Sequence, residues 1–326
     1  MVVDEDLARA RQIFQRRLLE TEGVVATPGE SVACSLYLSA VEYTPNRVTE
    51  DNFAKLRSTW ETPDGWALSE AVQVWRHARE LALGLHYVWD PRPPDEWLNA
   101  RRSWAQFVRE TLRYSKTLDT ELQVANACRS GSLERHELDS WQAIRPTFTP
   151  APRPLWHDDT ALELCQAWLK KHEGIVWCEH TFFAEELSKR SGVPYFGAKG
   201  LDRQKRSIED AKGPIIASVA ANSTGRNLQR WHSNLVTSCP STATTWEQMI
   251  GRTHRDGQQA DEVTVDVLFG CWEHFDGMAK ARAAATMALD MLGQPQKLLL
   301  ADMTWPSELE ITLRRGARWS RVIDTR

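Results

Sequence analysis

The sequence predicts an α/β protein, a parallel sheet flanked by helices, preceded by a mainly helical N-terminal region. Three observations carry this. Strand-like and helix-like stretches alternate after residue 151, the pattern of a parallel sheet covered on both faces. Before residue 130, apolar residues recur at helical spacing. Between the two lies Pro146-Thr147-Phe148-Thr149-Pro150-Ala151-Pro152-Arg153-Pro154. Closely spaced prolines resist both helix and sheet ladder, so this stretch is the expected joint between a helical leader, 1–150, and a domain, 151–326. A chain of 326 residues fits two domains on a soft prior of about 150 residues each.

In order along the leader, residues 4–20 and 67–89 have helical spacing. Asp90-Pro91-Arg92-Pro93-Pro94 stops the second before helices expected at 95–116 and 118–130. Gly23-Val24-Val25-Ala26-Thr27 and Val32-Ala33-Cys34-Ser35-Leu36-Tyr37 read as two short strands or as extended loop. Asp4-Glu5-Asp6 imitates a strand ending in acid, but acids favour the positive end of a helix dipole and a helix start is expected. There is no internal repeat. Beyond the joint the reading is helix 158–172, strand 174–178, helix 181–191, strand 193–196, helix 201–211 and strand 214–218. Helix 224–229, strand 234–238, helix 246–256 and strand 263–269 follow. The Ala-rich segment from Ala279 to Leu292 is strongly helical, and it and the tail from Ser307 are expected on the outside of the domain.

Composition excludes more than it identifies. The formal net charge is −4, so no overall basic footprint announces nucleic acid, although a local basic strip is compatible with an acidic total. The six cysteines, Cys34, Cys128, Cys165, Cys178, Cys239 and Cys271, form no Cys-x-x-Cys pair, which points away from zinc or a disulfide framework. No apolar run approaches the roughly 20 residues needed to span a bilayer, and no signal-peptide pattern is present. No membrane partner is expected, and the cytoplasm, with thiols reduced, is the expected compartment.

Gln248-Met249-Ile250-Gly251-Arg252-Thr253-His254-Arg255-Asp256-Gly257-Gln258 is the most informative segment. On a helix over 246–256, Gln248, Arg252 and Arg255 share one face, and Gly257 suits the left-handed position that ends a helix. Two guanidinium groups projecting together can stabilise charge growing on a γ-phosphoryl group, an effect worth roughly 10³–10⁵ in rate. The plainer reading is a solvated basic helix face. Upstream, strand 214–218 delivers Ser218 to the carboxyl edge of the sheet, where α/β proteins bind ligands. From there Ser218, Asn222, Ser223 and Thr224 can donate to phosphates, while Gly225 lets the backbone approach closely.

The segment 248–258 resembles motif VI of superfamily-two helicases and matches the Gln-x-x-Gly-Arg-x-His-Arg-x-Gly-Gln signature of Swi/Snf-like ATPases. Ser218-Val219-Ala220-Ala221-Asn222-Ser223-Thr224-Gly225-Arg226-Asn227-Leu228-Gln229 is similar to motif V of that family. Gly174-Ile175-Val176-Trp177-Cys178, with Tyr195-Phe196-Gly197-Ala198-Lys199-Gly200, is similar to motif IV and the second strand. The resemblance covers about residues 160–270 and implies a RecA-like C-terminal helicase lobe. It further implies that motif V couples a nucleic-acid track to an ATP cleft, with Arg255 the finger and Arg252 its support. Gln248, Gly225 and Asn227 join those two arginines at the nucleotide, and Ser218, Asn222, Ser223, Thr224, Lys199 and Arg203 face nucleic acid. ATP and Mg²⁺ are implied as cofactors, bound mainly by the other lobe. Ser238 stands where the family carries an Asp, so contacts made through that Asp are not carried over. This variant and the Trp-rich leader resemble helicases of bacteriophages and prophages, which would place the protein in a bacterial host's cytoplasm.

A superfamily-two ATPase also needs a phosphate loop ending in Gly-Lys-Ser/Thr. No Gly-Lys pair occurs in the sequence; Lys199-Gly200 and Lys212-Gly213 run in reverse order. The metal-holding Asp-Glu motif has no convincing counterpart. The expectation is half of a two-lobed motor, with DNA and a phosphate-loop lobe on another chain as partners, and no appreciable ATP hydrolysis alone. The alternative is a freestanding nucleic-acid-binding or regulatory protein without ATPase activity. A third reading makes Cys178 and His180 the centre of an unrelated enzyme. Among the 15 tryptophans, Trp97 and Trp104 share a helical face with Arg101 that would stack bases or, more simply, fill a core. His254 reads as an organising polar residue without metal-spaced partners. Lys199, Arg203, Lys205 and Arg206 form a basic cluster, either a solvated face or a phosphate contact.

Overall fold

The computed structural model describes residues 2–22, 32–149, 151–293 and 295–304. In chain order the elements begin with α1 (Val2–Glu20), β1 (Ser35–Glu42), α2 (Arg47–Thr59), α3 (Ala71–Ala82), β2 (Leu85–Trp89) and α4 (Asp95–Tyr114). Next come α5 (Glu121–Arg129), α6 (His136–Ile144), β3 (Pro152–Trp156), α7 (Thr160–Leu169), β4 (Ile175–Cys178), α8 (Thr181–Ser191) and β5 (Tyr195–Phe196). The remainder are β6 (Ile215–Ser218), α9 (Val219–Asn222), β7 (Ser233–Val236), α10 (Ala243–Ile250), β8 (Glu262–Phe269), α11 (Trp272–Leu292), α12 (Lys297–Leu300) and β9 (Asp302–Thr304). Of the stretches considered above, Gly23–Thr27 and the tail from Ser307 lie outside the described residues.

Two compact units divide the chain, one made of 1–43 and 162–326, the other of 44–161. In the first, the described strands form one seven-stranded sheet in the order β5-β6-β4-β7-β8-β1-β9, and every pairing is parallel. This is the α/β class the alternation predicts. Strands β4 and β7 are buried along their whole length, as central strands covered on both faces must be. Trp177, Phe196, Trp246 and Phe269 anchor the core at 2% exposure or less, and each such side chain contributes about 1.5–3 kcal/mol by burial. Thr242 caps α10 by accepting from the Thr245 amide at 3.3 Å, which fixes where that helix starts.

Strand β1 shows what local reading leaves open. Leu36 and Leu38 point inward while Tyr37 and Ser39 are half-buried, a period-two pattern that a short strand or a loop would equally satisfy. Its pairing with β8, from Ser35 opposite Glu262 to Glu42 opposite Phe269, makes it a strand and places part of the expected leader in the sheet.

The second unit holds α2 to α6 and a two-stranded ribbon of β2 and β3. The proline stretch is only partly a joint, because Pro152–Trp156 pairs antiparallel with β2. The Asp90 amide donates to Ala151 O and the His157 amide to Gly84 O. By alternation Pro152 and Pro154 therefore occupy positions that need no N–H. The expected helix 67–89 is shorter than its apolar pattern, ending at Ala82 before Gly84, whose φ is +83°, and Leu85–Trp89 is strand.

Trp97, Arg101 and Trp104 are buried at 2%, 4% and 1%, so they build this core and are not a base-stacking face. The Arg101 guanidinium lies 5.1 Å from the Trp66 ring centre and 5.6 Å from that of Trp141, and it pairs with Glu121 at 2.9 Å. Burial pushes the Glu121 carboxyl up, but the Arg101 charge and hydrogen bonds from Arg101, Ser69 and Trp104 outweigh it and leave it below the ordinary range.

Three helices expected in the sheet unit are shorter or missing, each for a local reason. Over 201–211, the Asp202 carboxylate accepts from the Gln204 and Arg206 amides at 2.9 and 2.8 Å. Such side-chain bonds compete with helix and fold the segment into a tight loop. At 224–229, Gly225 has a φ of +68° and the chain turns away after α9. The helix expected over 246–256 stops at Ile250, and Gly257, at φ +87°, closes a turn seven residues further on.

The ribbon unit predicts a pH dependence. His86 is 6% exposed, and its Nδ1 has no hydrogen-bond partner among the described residues. Burial, then the neighbouring His157 and more weakly His77, hold its pKa down to about 4 against the opposing pull of Asp64 and Glu80. Between about pH 6.5 and 4 the unfolded chain binds a proton that the folded unit refuses. Stability is therefore full above about 6.5 and falls by up to roughly 3 kcal/mol as pH drops towards 4. Urea unfolding followed by tryptophan fluorescence across this window checks the sign, and His86→Leu is expected to flatten the fall.

Candidate functional site

The site is built outward from Asn234 in β7. Its side chain is 2% exposed. Its Oδ1 accepts from Trp177 Nε1 at 3.1 Å, and its Nδ2 donates to Thr253 Oγ1 at 3.2 Å and to Thr264 O at 3.1 Å. One amide thus joins β4, β7 and β8 to the turn after α10. That turn continues from the helix by short-range bonds, Arg252 N to Met249 O and Thr253 N to Ile250 O, with Thr253 fully buried. Gln258 closes it by donating from Nε2 to Thr253 O at 2.9 Å and Trp231 O at 3.1 Å.

His254 fixes the turn from another side. Its Nδ1 accepts from Lys297 Nζ at 3.2 Å, so Nε2 carries the proton and donates to Cys34 O at 3.0 Å. Burial lowers its pKa, consistent with a neutral ring.

Arg252 and Arg255 therefore do not share a helix face; they stand on a turn. Arg252 donates Nε to Gln248 O at 2.9 Å and Nη1 to Arg226 O at 3.2 Å. Arg255 donates Nη1 to Asn227 Oδ1 at 2.6 Å. Burial and then the like charge of Arg255 lower the Arg252 pKa. Among the described residues neither is ion-paired with a carboxylate. Gln248 lies half-buried in the last turn of α10, and its carbonyl is one of the supports.

The expected nucleic-acid residues divide. Thr224, Lys199 and Arg203 are exposed and Ser218 is half-buried. Asn222 is fully buried and Ser223 is 6% exposed. Asn222 is committed to the fold, donating Nδ2 to Phe196 O at 2.9 Å and Ser218 O at 3.2 Å, and is not presented to a phosphate. Gly225 is exposed with open space where a Cβ would stand, and Asn227 is exposed beside Arg255. Ser238 is 2% exposed and its Oγ has no hydrogen-bond partner among the described residues. Cys178 is buried, and burial pushes its thiol up to about 12 against a bond with Thr237. A thiol held neutral and away from solvent does not act as a nucleophile, which removes the Cys178–His180 reading.

Sequence reasoning gave no role to Arg226, Asn234 or Lys297. Asn234 had a signal, an amide inside the apolar strand Ser-Asn-Leu-Val, since a buried polar group demands partners. Lys297 had none.

No protein-family model matches the chain, and no curated protein matches it. Solved structures resemble it at low identity. The C-terminal part of the Fun30 ATPase domain is 13% identical, with 86% of this chain and 95% of that one covered and a TM-score of 0.42. A DEAD box protein from the hyperthermophile Methanococcus jannaschii is 18% identical over 39% of this chain and 37% of its own, at 0.32. S. cerevisiae Dbp5 bound to RNA and ADP BeF3 is 14% identical over 48% of this chain and 41% of its own, also at 0.32.

Asn234→Ala is expected to cost about 2–3 kcal/mol, because it leaves Trp177 Nε1 without its buried acceptor and removes the donor to Thr253 Oγ1 and Thr264 O; chemical unfolding measures it. Cys178 is expected to resist thiol reagents in the folded protein and to react once it is unfolded, a difference read by mass spectrometry.

Proposed function

We propose that this chain is the C-terminal, arginine-bearing lobe of a superfamily-two, Swi/Snf-like DNA helicase or translocase, working with a separately encoded or removed phosphate-loop lobe. One observation carries the reading. Two arginines three residues apart are held on one turn by neutral acceptors, the carbonyls of Gln248 and Arg226 and the amide of Asn227, and among the described residues neither is ion-paired with a carboxylate. A positive pair prepared in this way is suited to an anion that arrives from outside.

ATP with Mg²⁺ supplies the γ-phosphoryl group whose transfer drives motors of this kind, and the partner lobe holds most of it. Arg255, with the more exposed setting, is the finger. Arg252 supports it, and Gln248, Gly225 and Asn227 are the further candidates for the nucleotide side. Thr224, Ser218, Lys199 and Arg203 are the remaining candidates for the nucleic-acid side; Asn222 and Ser223 act there only by shaping the backbone. The matched signature at 248–258 favours DNA, and the Trp-rich leader supports a phage or prophage source.

The absence of a Gly-Lys pair from the sequence favours a second reading, a freestanding nucleic-acid-binding or regulatory protein. DNA-stimulated ATPase activity, measured for the chain alone and mixed with a phosphate-loop partner, separates the two. Turnover is expected only in the mixture, and Arg255→Ala is expected to reduce it by about 10³-fold or more. Robust turnover by the chain alone would overturn the half-motor; no turnover in any mixture, with DNA binding retained, selects the second reading.

A further inference from the structure

Arg226 lies in the motif V segment, and the function proposed above gives its side chain no task. Its guanidinium nevertheless has defined partners. Nη1 reaches both Glu209 oxygens, at 3.2 and 3.4 Å, and Nη2 donates to Lys199 O at 2.5 Å. Glu209 and Lys199 belong to the tight loop 197–211, which is organised by Asp202 and displays Lys199, Arg203 and Lys205 to solvent. At its other end, the Arg226 carbonyl accepts from Arg252 Nη1 at 3.2 Å.

The seat is built for this side chain. Gly200 has a φ of +69°, and a Cβ there would stand 2.7 Å from Arg226 Nη2 and 2.9 Å from Asn222 Oδ1, so any other residue would push the guanidinium away. The side chain is 23% exposed. A fully exposed ion pair would be worth little. Here a carboxylate, a backbone carbonyl and a glycine seat fix one geometry, and the same residue supports an arginine of the candidate finger pair.

We propose that Arg226 is a positioning residue that ties the basic loop 197–211 to the Arg252–Arg255 turn, so that a nucleic-acid phosphate held by the loop biases the geometry of the arginines. The inference rests on the half-motor reading for its consequence in ATP turnover, but the mechanical link stands on this chain's own contacts. A link of this kind needs a demonstrated coupling, since adjacency alone does not establish it.

Arg226→Met removes the donors and keeps the stem; Arg226→Lys restores a cation. Hydrogen–deuterium exchange of the full chain is expected to rise in Arg226→Met over 197–211 and over 251–258 together, with partial return in Arg226→Lys. In the reconstituted mixture, stimulation of ATPase by saturating DNA is expected to fall at least about fivefold, the scale of a modest coupling between sites. Unstimulated turnover should change much less, a split that simple unfolding would not give. Exchange that rises only in the loop, or nowhere, overturns the link. Equal loss of stimulated and unstimulated turnover also overturns it. If the wild-type mixture never hydrolyses ATP, the half-motor reading fails while the exchange measurement still decides the link. Should Arg226→Met not fold, Glu209→Gln is measured in its place, and exchange equal to wild type at both segments overturns the proposal.

Discussion

A carboxamide buried at the centre of a parallel sheet must satisfy both its oxygen and its nitrogen, because an unmade bond there costs about 1–3 kcal/mol. In Asn234 that requirement is met by Trp177, Thr253 and Thr264. The consequence reaches beyond the strand. Thr253 is held in the core, the chain beyond Ile250 runs on as a turn, and Arg252 and Arg255 leave on either side of a buried residue. The arrangement of the candidate site follows from where one amide finds its partners.

The charge arrangement follows from the turn. Arg252, Arg255 and Lys297 influence one another, and burial lowers the pKa of both Arg252 and Lys297. His254 accepts from Lys297 as a neutral ring and adds no charge. Carbonyl oxygens stabilise guanidinium groups by dipole and hydrogen bond without cancelling their charge, whereas a carboxylate would cancel it. The turn therefore carries two arginines that have no carboxylate partner among the described residues, in a chain whose net charge is −4.

The unit of residues 44–161 solves a different problem by a related device. Its core is aromatic, with Trp66 and Trp97 at 4.9 Å and Trp97 and Trp141 at 4.9 Å between ring centres, and a buried arginine lies against two of the rings. Such a cation requires a partner, which Glu121 supplies while also accepting from Trp104 Nε1 at 2.6 Å. The tryptophans and their polar handles are one structure, because a buried indole N–H needs an acceptor as surely as the guanidinium needs a carboxylate.

The sequence by itself determined the α/β class, because strands β4, β6, β7 and β8 carry their burial in composition and period. It also set Arg252 and Arg255 three residues apart, but their placement on a turn and not on one helix face came from the fold. Tertiary structure decided the rest. Residues 35–42 became a strand because a partner more than two hundred residues away offered a matching edge. Pro152–Trp156 joined a ribbon because alternation put its prolines where no N–H is used. Helices expected at 201–211 and 246–256 gave way to Asp202 and Asn234, whose hydrogen bonds outweighed local helical spacing. Arg226 and Lys297 could not be assigned from their neighbours in the chain, because their partners lie elsewhere in it. Periodicity reports which face of an element is apolar; which polar group meets which is settled only when distant segments pack and every buried donor must find an acceptor.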